Sequence, residues 1–322
     1  DQDLFASLYL DAGNAKNDWL SAHVHAYGAL ELSDDDPTFD HINDSYDHDL
    51  VGRLYEAYAD VNRVEGVHEL RLGRQQLGLT PVLAWFDGAW IETEAQDRAD
   101  LQAGAYGGVP VRLFEPSTEG DTLYGLYVQA RPIEGGRARL DWMHLEDERV
   151  LGDSQDDLYQ LGLWQELLEN LHVDAATSRL EGEQRDWRAG STWYDAGSDL
   201  TLHASHYRLL ETQGLLSLEI DPFFGSLREL HPFDQTAVLA SKGVGKHLVV
   251  QAGADVRRVD DDQDVGEFNR DFDRYYLTTS FQDVLCDGLE LAMTGEIWKS
   301  AATKIDTWGL DLSRKLSQEL EL

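Results

Sequence analysis

The sequence predicts an all-β protein, and two observations lead to that prediction. Small or apolar residues alternate with polar or charged ones in stretch after stretch, from the beginning of the chain to its end. The chain also lacks an apolar run of about 18 residues, the length that a transmembrane helix requires. Because the alternation has a period of two, it is typical of strands with one apolar face.

The alternation is clearest in residues 19–32. One face of this segment carries small and apolar residues, namely Leu20, Ala22, Val24, Ala26, Gly28, Leu30 and Leu32. The opposite face carries Ser21, His23, His25, Tyr27 and Glu31. The same pattern is found in residues 102–112, 124–131, 248–256, 289–298 and 307–316.

The composition of the two faces favours a membrane barrel over a water-soluble sandwich. The apolar face is mostly Leu and Ala, which would pack a poor core, whereas the other face carries charged and polar side chains. A closed antiparallel transmembrane β-barrel suits both faces, with the apolar face towards lipid and the polar face towards a water-filled lumen. At roughly 20 residues for each strand and its connection, the length allows about 16 strands.

Seventeen segments of the chain are candidate strands. One of them is expected to be wrong, because single-chain bacterial barrels have even strand numbers. The weakest region is residues 215–233, where Asp221-Pro222-Phe223-Phe224-Gly225 interrupts the alternation. In order, the candidates span residues 4–13, 18–32, 47–63, 66–79, 84–94, 99–113, 121–133, 136–149, 156–168, 171–184, 187–196, 200–212, 233–244, 246–259, 271–285, 288–301 and 304–318.

Turn residues separate these segments, and short and long connections are expected to alternate between the two rims of a barrel. Residues 134–136 and 242–246 have the composition of short turns, and residues 33–46 and 260–271 that of long loops. No linker rich in Pro, Gly or Ser interrupts the chain, so residues 1–322 are predicted to form a single outer-membrane barrel domain. Aromatic residues near strand ends suit the two membrane interfaces, namely Trp19, Tyr46, Trp85, Trp187, Tyr275 and Trp298.

The charge balance argues against a nucleic-acid ligand. The formal net charge is −35, from 61 acidic and 26 basic residues, and phosphate contacts need Lys and Arg. Acidic clusters in the expected loops are either solvated loop tips or sites for divalent cations beside lipopolysaccharide. The single cysteine, Cys286, excludes an internal disulfide framework, and without a Cys-x-x-Cys-His motif the chain cannot attach c-type haem itself. The start at Asp1 fits a mature, processed protein.

The alternation also predicts which residues line the pore. Opposed charges across a narrow pore favour small polar solutes, and an acidic excess favours cations; the alternative is that these residues pair and stiffen the wall. The predicted pore-lining residues are Glu56, Asp60, Glu69, Arg71, Arg131, Arg137, Arg139, Asp141, Arg188, Asp255, Arg257, Glu290, Glu296 and Asp311.

Two pairs of residues were weighed for metal binding or catalysis. His23 and His25 share a strand face, but no third ligand with diagnostic spacing accompanies them, so no metal site is predicted. His203 and Ser205 also share a face, and no orienting acid or amide completes a catalytic set. We therefore predict no enzymatic activity, no catalytic residue and no cofactor.

A family resemblance appears in two neighbouring segments. Leu70-Arg71-Leu72-Gly73-Arg74-Gln75-Gln76-Leu77 is followed by Trp85-Phe86-Asp87-Gly88-Ala89-Trp90. This pattern resembles outer-membrane barrels of the alginate-export and related porin-like families. The resemblance implies a barrel. The residues themselves favour the same interpretation on physical grounds, with Arg71 and Gln75 directed into the lumen and Gly73 leaving room beside bulky inward neighbours. Exporters of acidic polysaccharide have an arginine-rich lumen, whereas this chain is acidic, and it ends in Gln318-Glu319-Leu320-Glu321-Leu322 without a terminal aromatic residue.

The leading hypothesis is a porin-like channel in a bacterial outer membrane that passes small hydrophilic solutes or cations by passive diffusion. A second hypothesis is a scaffold barrel that encloses a partner, such as a multihaem cytochrome from the periplasm, for transmembrane electron transfer. A third is a soluble acidic all-β protein that binds carbohydrate. The expected partners are outer-membrane lipid and lipopolysaccharide, and the sequence leaves open whether the chain forms a homo-oligomer.

Overall fold

The computed structural model describes residues 2–14, 18–33, 50–62, 64–77, 84–95, 99–111, 121–147, 154–212, 231–260, 270–283, 288–300 and 303–314. These residues form seventeen strands and no α-helix. Among them, no helix is long and apolar enough to cross a membrane. The strands are β1 (Gln2–Ala12), β2 (Leu20–Ser33), β3 (Leu50–Val61), β4 (Val67–Leu77), β5 (Ala84–Thr93), β6 (Gln102–Val111), β7 (Thr122–Ala130), β8 (Gly136–Asp147), β9 (Ser154–Leu168), β10 (Leu171–Leu180), β11 (Glu183–Asp195), β12 (Leu200–Leu209), β13 (Phe233–Val244), β14 (Leu248–Val259), β15 (Phe272–Gln282), β16 (Leu289–Ser300) and β17 (Lys304–Arg314).

All seventeen strands belong to one sheet, and strands that follow one another in the chain pair antiparallel. The register is defined from β1 to β7 and from β10 to β17. This is the meander that the alternating sequence predicts, because each tight connection returns the chain beside the strand it has just left.

The structure corrects the predicted strand number. The sequence analysis expected about sixteen strands and one wrong candidate, whereas all seventeen candidates are strands in the structure. Local alternation and pairing with the preceding strand decide whether a segment forms a strand, and the even-number rule acts only on a closed barrel. The pairings of the described residues do not join β17 to β1, so the closed ring that was expected is not established by them. The predicted weak region, residues 215–233, lies outside the described residues up to position 230.

The contacts of the chain cluster in two compact units, which are described separately below. Among the described residues, unit 1 comprises those of 2–132 and 139–160, and unit 2 comprises those of 133–138, 161–212 and 231–314. Along this part of the chain the division falls in the turn after β7, within β8 and within β9. The single domain over residues 1–322 stays a prediction.

Each unit has one face of exposed apolar residues, which we call its outer face, and we call the opposite face the inner face. In unit 1 the outer face carries Leu8, Leu54, Leu72, Ile91, Leu126 and Leu140. In unit 2 it carries Leu163, Leu202, Val238, Leu277, Met293 and Leu310. Large apolar side chains that are about half exposed are unfavourable in water. The outer wall of a membrane barrel, in contrast, carries such side chains because they contact lipid.

Connection lengths follow the predicted alternation. The four longest connections, residues 34–49, 112–121, 210–232 and 260–271, all follow even-numbered strands. We call the strand ends that meet these connections the loop end, and the opposite ends the turn end. The predicted short turns lie at the turn end, as residues 131–135 after β7 and residues 245–247 after β13.

Candidate functional site: the inner faces of the two units

The structure places all but one of the predicted pore-lining residues on an inner face. Arg131 is the exception, because it lies in the turn after β7, where its side chain is 58% exposed and 3.6 Å from Asp100. In unit 1 the residues on the inner face are Glu56, Asp60, Glu69, Arg71, Arg139 and Asp141. In unit 2 they are Arg137, Arg188, Asp255, Arg257, Glu290, Glu296 and Asp311. Their role in lining a pore stays a prediction.

A buried ion pair lies at the centre of the inner face of unit 1. Arg139 and Asp141 are two residues apart on β8, so their side chains project on the same side of the strand. The guanidinium donates to both carboxylate oxygens, with Nη2–Oδ1 at 2.7 Å and Nε–Oδ2 at 3.0 Å. Its carbon also lies 3.7 Å from the centre of the Tyr127 ring. Because the Asp141 side chain is fully buried, this pair is part of a packed interior.

A second network on the same inner face surrounds Arg71. This arginine donates to Asp60 and to Glu69, each over 2.7 Å, and its guanidinium lies 3.8 Å from the centre of the Tyr58 ring. Residues Asp60 and Arg71 face each other across β3 and β4. Guanidinium groups bonded to two carboxylates and stacked on an aromatic ring are held in one orientation. Arg71 is therefore fixed in the wall.

Tyr127 joins the two networks of unit 1. Its hydroxyl donates to the Glu92 carboxylate and accepts a hydrogen bond from Trp90 Nε1 over 3.2 Å. Glu92 lies opposite Glu69 in the β4–β5 register. The sequence analysis did not single out Tyr127, Trp90 or Glu92, although their positions alternate with outer-face residues such as Leu126 and Ile91.

The inner face of unit 1 also holds apolar residues that the sequence analysis had assigned to no face. It is this cluster that excludes water from Arg139 and Asp141. The fully or almost fully buried members are Phe86, Tyr106, Leu123, Met143, Leu145 and Leu158. The expectation of a purely polar inward face is therefore wrong for unit 1, because β8 carries Met143 and Leu145 in phase with Asp141.

Gly73 has a backbone conformation that favours glycine. Its φ is +124°, and a Cβ atom there would meet the Ala57 carbonyl oxygen and the Tyr58 Cα of β3. The sequence predicts that Gly73 leaves room for bulky inward side chains. In the structure it is the backbone of the neighbouring strand that requires the glycine.

His23 and His25 of unit 1 are held by inner-face partners. His23 Nδ1 lies 2.5 Å from Asp11 Oδ1, and His23 Nε2 lies 3.3 Å from Glu56 Oε2. The His25 ring stacks on Tyr9, with centroids 4.1 Å apart. Among the described residues, no group of three or more His, Cys, Asp and Glu is placed to hold a metal ion.

The inner face of unit 2 is organised around Arg274, which the sequence analysis missed. Its Nε donates to Glu296 Oε1 over 2.9 Å and its Nη2 to Glu296 Oε2 over 3.0 Å, while Nη1 lies 3.6 Å from Asp255. Three adjacent strands, β14 to β16, supply the three side chains. Arg274 is 35% exposed, so water reaches this network. Its position two residues before Tyr276 on an alternating strand could have revealed it.

Arg257 occupies a different position on the inner face of unit 2. Its guanidinium carbon lies 3.6 Å from the centre of the Phe233 ring. Its Nε and Nη2 atoms are buried, and no hydrogen-bond partner is found for them among the described residues. Two carboxylates, Glu290 and Asp311, likewise form no ion pair with another described residue. The inner face of unit 2 thus carries charged groups of both signs that form no ion pair with another described residue.

His203 and Ser205 do share the inner face of unit 2, as the alternation predicts. His203 Nδ1 lies 3.0 Å from the Thr192 hydroxyl. This arrangement gives the imidazole a hydroxyl partner on the neighbouring strand rather than an orienting carboxylate, so the described contacts do not build a nucleophile and base pair.

The fold is that of bacterial outer-membrane porins. Solved structures of such porins match it, including Acinetobacter baumannii OccAB1 and OccAB2 and Pseudomonas aeruginosa OpdK, whose structure contains vanillate. The TM-scores are 0.58, 0.58 and 0.55, at 10%, 12% and 12% sequence identity. Each match covers 96% of this chain and 89%, 92% and 90% of the other chain. No family model and no curated protein sequence matches this chain.

This likeness confirms the predicted all-β, porin-like fold. It supports the broader resemblance to porin-like barrels, and the narrower resemblance to alginate exporters gains nothing from it.

Proposed function

We propose that the protein is a channel of a bacterial outer membrane through which small hydrophilic solutes diffuse passively. The observation that carries the proposal is the contrast between the two faces of unit 2. The outer face is exposed and apolar, whereas the inner face carries water-accessible charges, among them Arg274, Glu296 and Asp255. A wall of this kind separates lipid from an aqueous path. The porin fold agrees with a protein that performs no chemistry of its own.

We further propose that the channel prefers cations. Glu290 and Asp311 lie on the inner face of adjacent strands and have no basic partner among the described residues. Fixed carboxylates along a narrow aqueous path raise the local concentration of cations.

A second class of solute is favoured by Arg257 and Phe233. Arg257 is partly exposed and its guanidinium lies against an aromatic ring, an arrangement suited to an aromatic carboxylate, which would accept from the exposed side of the guanidinium. Vanillate, the molecule in the OpdK structure, belongs to that chemical class.

Conductance in a planar lipid bilayer tests the proposal. Stepwise openings of the detergent-purified protein are expected, and a salt gradient should give a reversal potential of the sign for cations. Addition of vanillate should block the current in wild type and should have less effect in Arg257→Gln. Insertion without conductance would favour the scaffold hypothesis, which predicts a haem absorbance that co-purifies with the chain. A protein that stays soluble and does not insert would contradict the channel hypothesis and favour the hypothesis of a soluble carbohydrate-binding protein.

A further inference from the structure

A row of charged residues crosses the outer face of unit 2 at its loop end. Neighbouring strands contribute Arg208, Asp234, Arg258, Asp273 and Lys299, one from each strand from β12 to β16. Arg208 pairs with Asp234 and also donates to Asp260, while Arg258 Nη2 lies 2.6 Å from Asp273 Oδ1. Both arginines in the first part of the row are therefore neutralised by carboxylates, which outnumber them three to two.

The row ends in two lysines that face each other directly. Lys299 of β16 and Lys304 of β17 are register partners, and like charges at such positions destabilise a sheet. Lys304 Nζ lies 2.8 Å from Asp306. Lys299 is exposed and forms no ion pair with another described residue, because Asp273, its partner on the other side, is bonded to Arg258. An anion placed between the two lysines would remove the repulsion.

An apolar groove begins directly beside these lysines. It has a volume of about 700 Å³ and runs along β15 to β17 on the outer face of unit 2. Gly295 forms part of its floor, and the Trp308 side chain, which is 84% exposed, leans over that glycine. Its apolar walls are Tyr275, Leu277, Met293, Ile297, Trp308 and Leu310.

The groove and the charged pair are parts of one continuous surface. Ile297 precedes Lys299 by two residues on β16, and Trp308 follows Asp306 by two residues on β17. Residues two apart on a strand lie on the same face, roughly 7 Å from each other. A molecule that extends from the lysines along the groove therefore meets first the two lysines, of which Lys304 is paired with Asp306, and then apolar side chains.

We propose that this surface binds one anionic lipid, with its phosphate between Lys299 and Lys304 and an acyl chain in the groove. The inference rests on the proposed membrane location. Charge complementarity selects a phosphate, and the apolar groove beside it selects a lipid over a free phosphate ion. The position at the loop end places the headgroup in the leaflet on the side of the long connections.

Native mass spectrometry of the full chain in detergent tests the proposal, with phosphatidylglycerol as the probe and phosphatidylcholine as the zwitterionic comparison. Wild type should bind phosphatidylglycerol more tightly. Each lysine near an anionic headgroup contributes about fivefold, so Lys299→Gln with Lys304→Gln should weaken phosphatidylglycerol binding roughly 25-fold and leave phosphatidylcholine binding unchanged. Lys242→Gln is the matched control, because Lys242 lies on the outer face of β13 near the turn end and donates to the Ser198 carbonyl oxygen.

A second variant tests the groove. Trp308→Ala should weaken binding of long-chain phosphatidylglycerol and should not change binding of a dihexanoyl analogue. Equal phosphatidylglycerol binding by the lysine double variant and by Lys242→Gln would overturn the proposal. Displacement of the lipid by inorganic phosphate at a similar concentration would also overturn it, since the site would then recognise a free anion. Because lipid binding is measured in detergent, a loss of bilayer conductance reports on the proposed channel and leaves this result intact.

Discussion

The inner faces of the two units differ in how far their charged side chains are exposed to water. In unit 1, Arg139 and Asp141 are 6% and 0% exposed and lie among buried apolar side chains. In unit 2, the comparable network leaves Arg274 at 35%, Glu296 at 24% and Asp255 at 19% exposure. The same alternation of sequence has therefore produced a packed ion pair at Arg139 in unit 1 and a water-accessible network around Arg274 in unit 2.

The difference comes from the residues that lie next to the charged side chains on the same face of the strand. Asp141 is followed on its face by Met143 and then Leu145, whereas Arg274 is followed by Tyr276 and then Thr278. Large apolar neighbours exclude water and make an unpaired charge costly, while hydroxyl-bearing neighbours leave the charge solvated. We infer that ion pairs support folding in unit 1 and shape the electric field of the proposed channel in unit 2.

The largest expected effect is the loss of the buried pair. Asp141→Ala leaves the Arg139 guanidinium buried without its carboxylate and should lower the free energy of unfolding by about 3–5 kcal/mol. Glu296→Ala, in the exposed network of unit 2, should lower it by about 0–1 kcal/mol. Urea unfolding in lipid vesicles, followed by tryptophan fluorescence, measures both. Equal losses would remove the distinction between the two inner faces.

The outer faces should not show this difference. Leu126→Arg in unit 1 and Val238→Arg in unit 2 each place a cation in the middle of an exposed apolar strand face. Each should cost about 2–4 kcal/mol in vesicles, because the charge enters the hydrocarbon. The same unfolding measurement applies, with Leu126→Ala and Val238→Ala as controls. A variant that costs nothing would show that its strand does not face lipid.

A smaller effect is expected at two inner-face tyrosines. Tyr127→Phe removes the hydroxyl that bonds Glu92 and Trp90, and hydrogen bonds to charged groups contribute about 1.5–3 kcal/mol. Tyr276→Phe is the matched control in unit 2, where the hydroxyl makes no hydrogen bond with another described residue. Its free energy of unfolding should stay close to that of wild type. Similar losses of unfolding free energy in both variants would mean that the hydrogen bonds of the Tyr127 hydroxyl do not contribute to stability.

The smallest expected effect concerns ion selectivity. The variant Glu290→Gln with Asp311→Asn neutralises two carboxylates of unit 2 and should leave stability unchanged. By Coulomb's law in water at roughly 8 Å, each charge contributes about 0.5 kcal/mol, so the cation-to-anion permeability ratio should fall about twofold for each. Reversal potentials in a salt gradient give this ratio. Asp306→Asn, on the outer face of β17, is the control and should not change it.

The order of these four effects separates the two units further. If unit 1 is a structural interior, its inner-face variants should alter stability before they alter conductance. If unit 2 lines the path of the solute, its inner-face variants should alter conductance before they alter stability.

Much of the fold could be predicted because alternation is local. Every candidate strand was found, and the faces of Arg71, Asp255 and Glu296 followed from a period of two. The even strand number was wrong, since it came from a rule about closed barrels and not from any residue of the chain. Arg274 and Tyr127 were missed although their phase was visible, because the sequence does not show which inner-face residues meet across strands.

The sequence by itself determined the strands, their order and the face on which each side chain lies, since these depend on neighbours within a few residues. Only the tertiary structure decided which inner face is packed and which is open to water. Burial of Asp141, stacking of Arg257 on Phe233, and the meeting of Lys299 with Lys304 each join residues of different strands or depend on their surroundings. Register and packing set those contacts, and a pattern along a single strand carries no information about them.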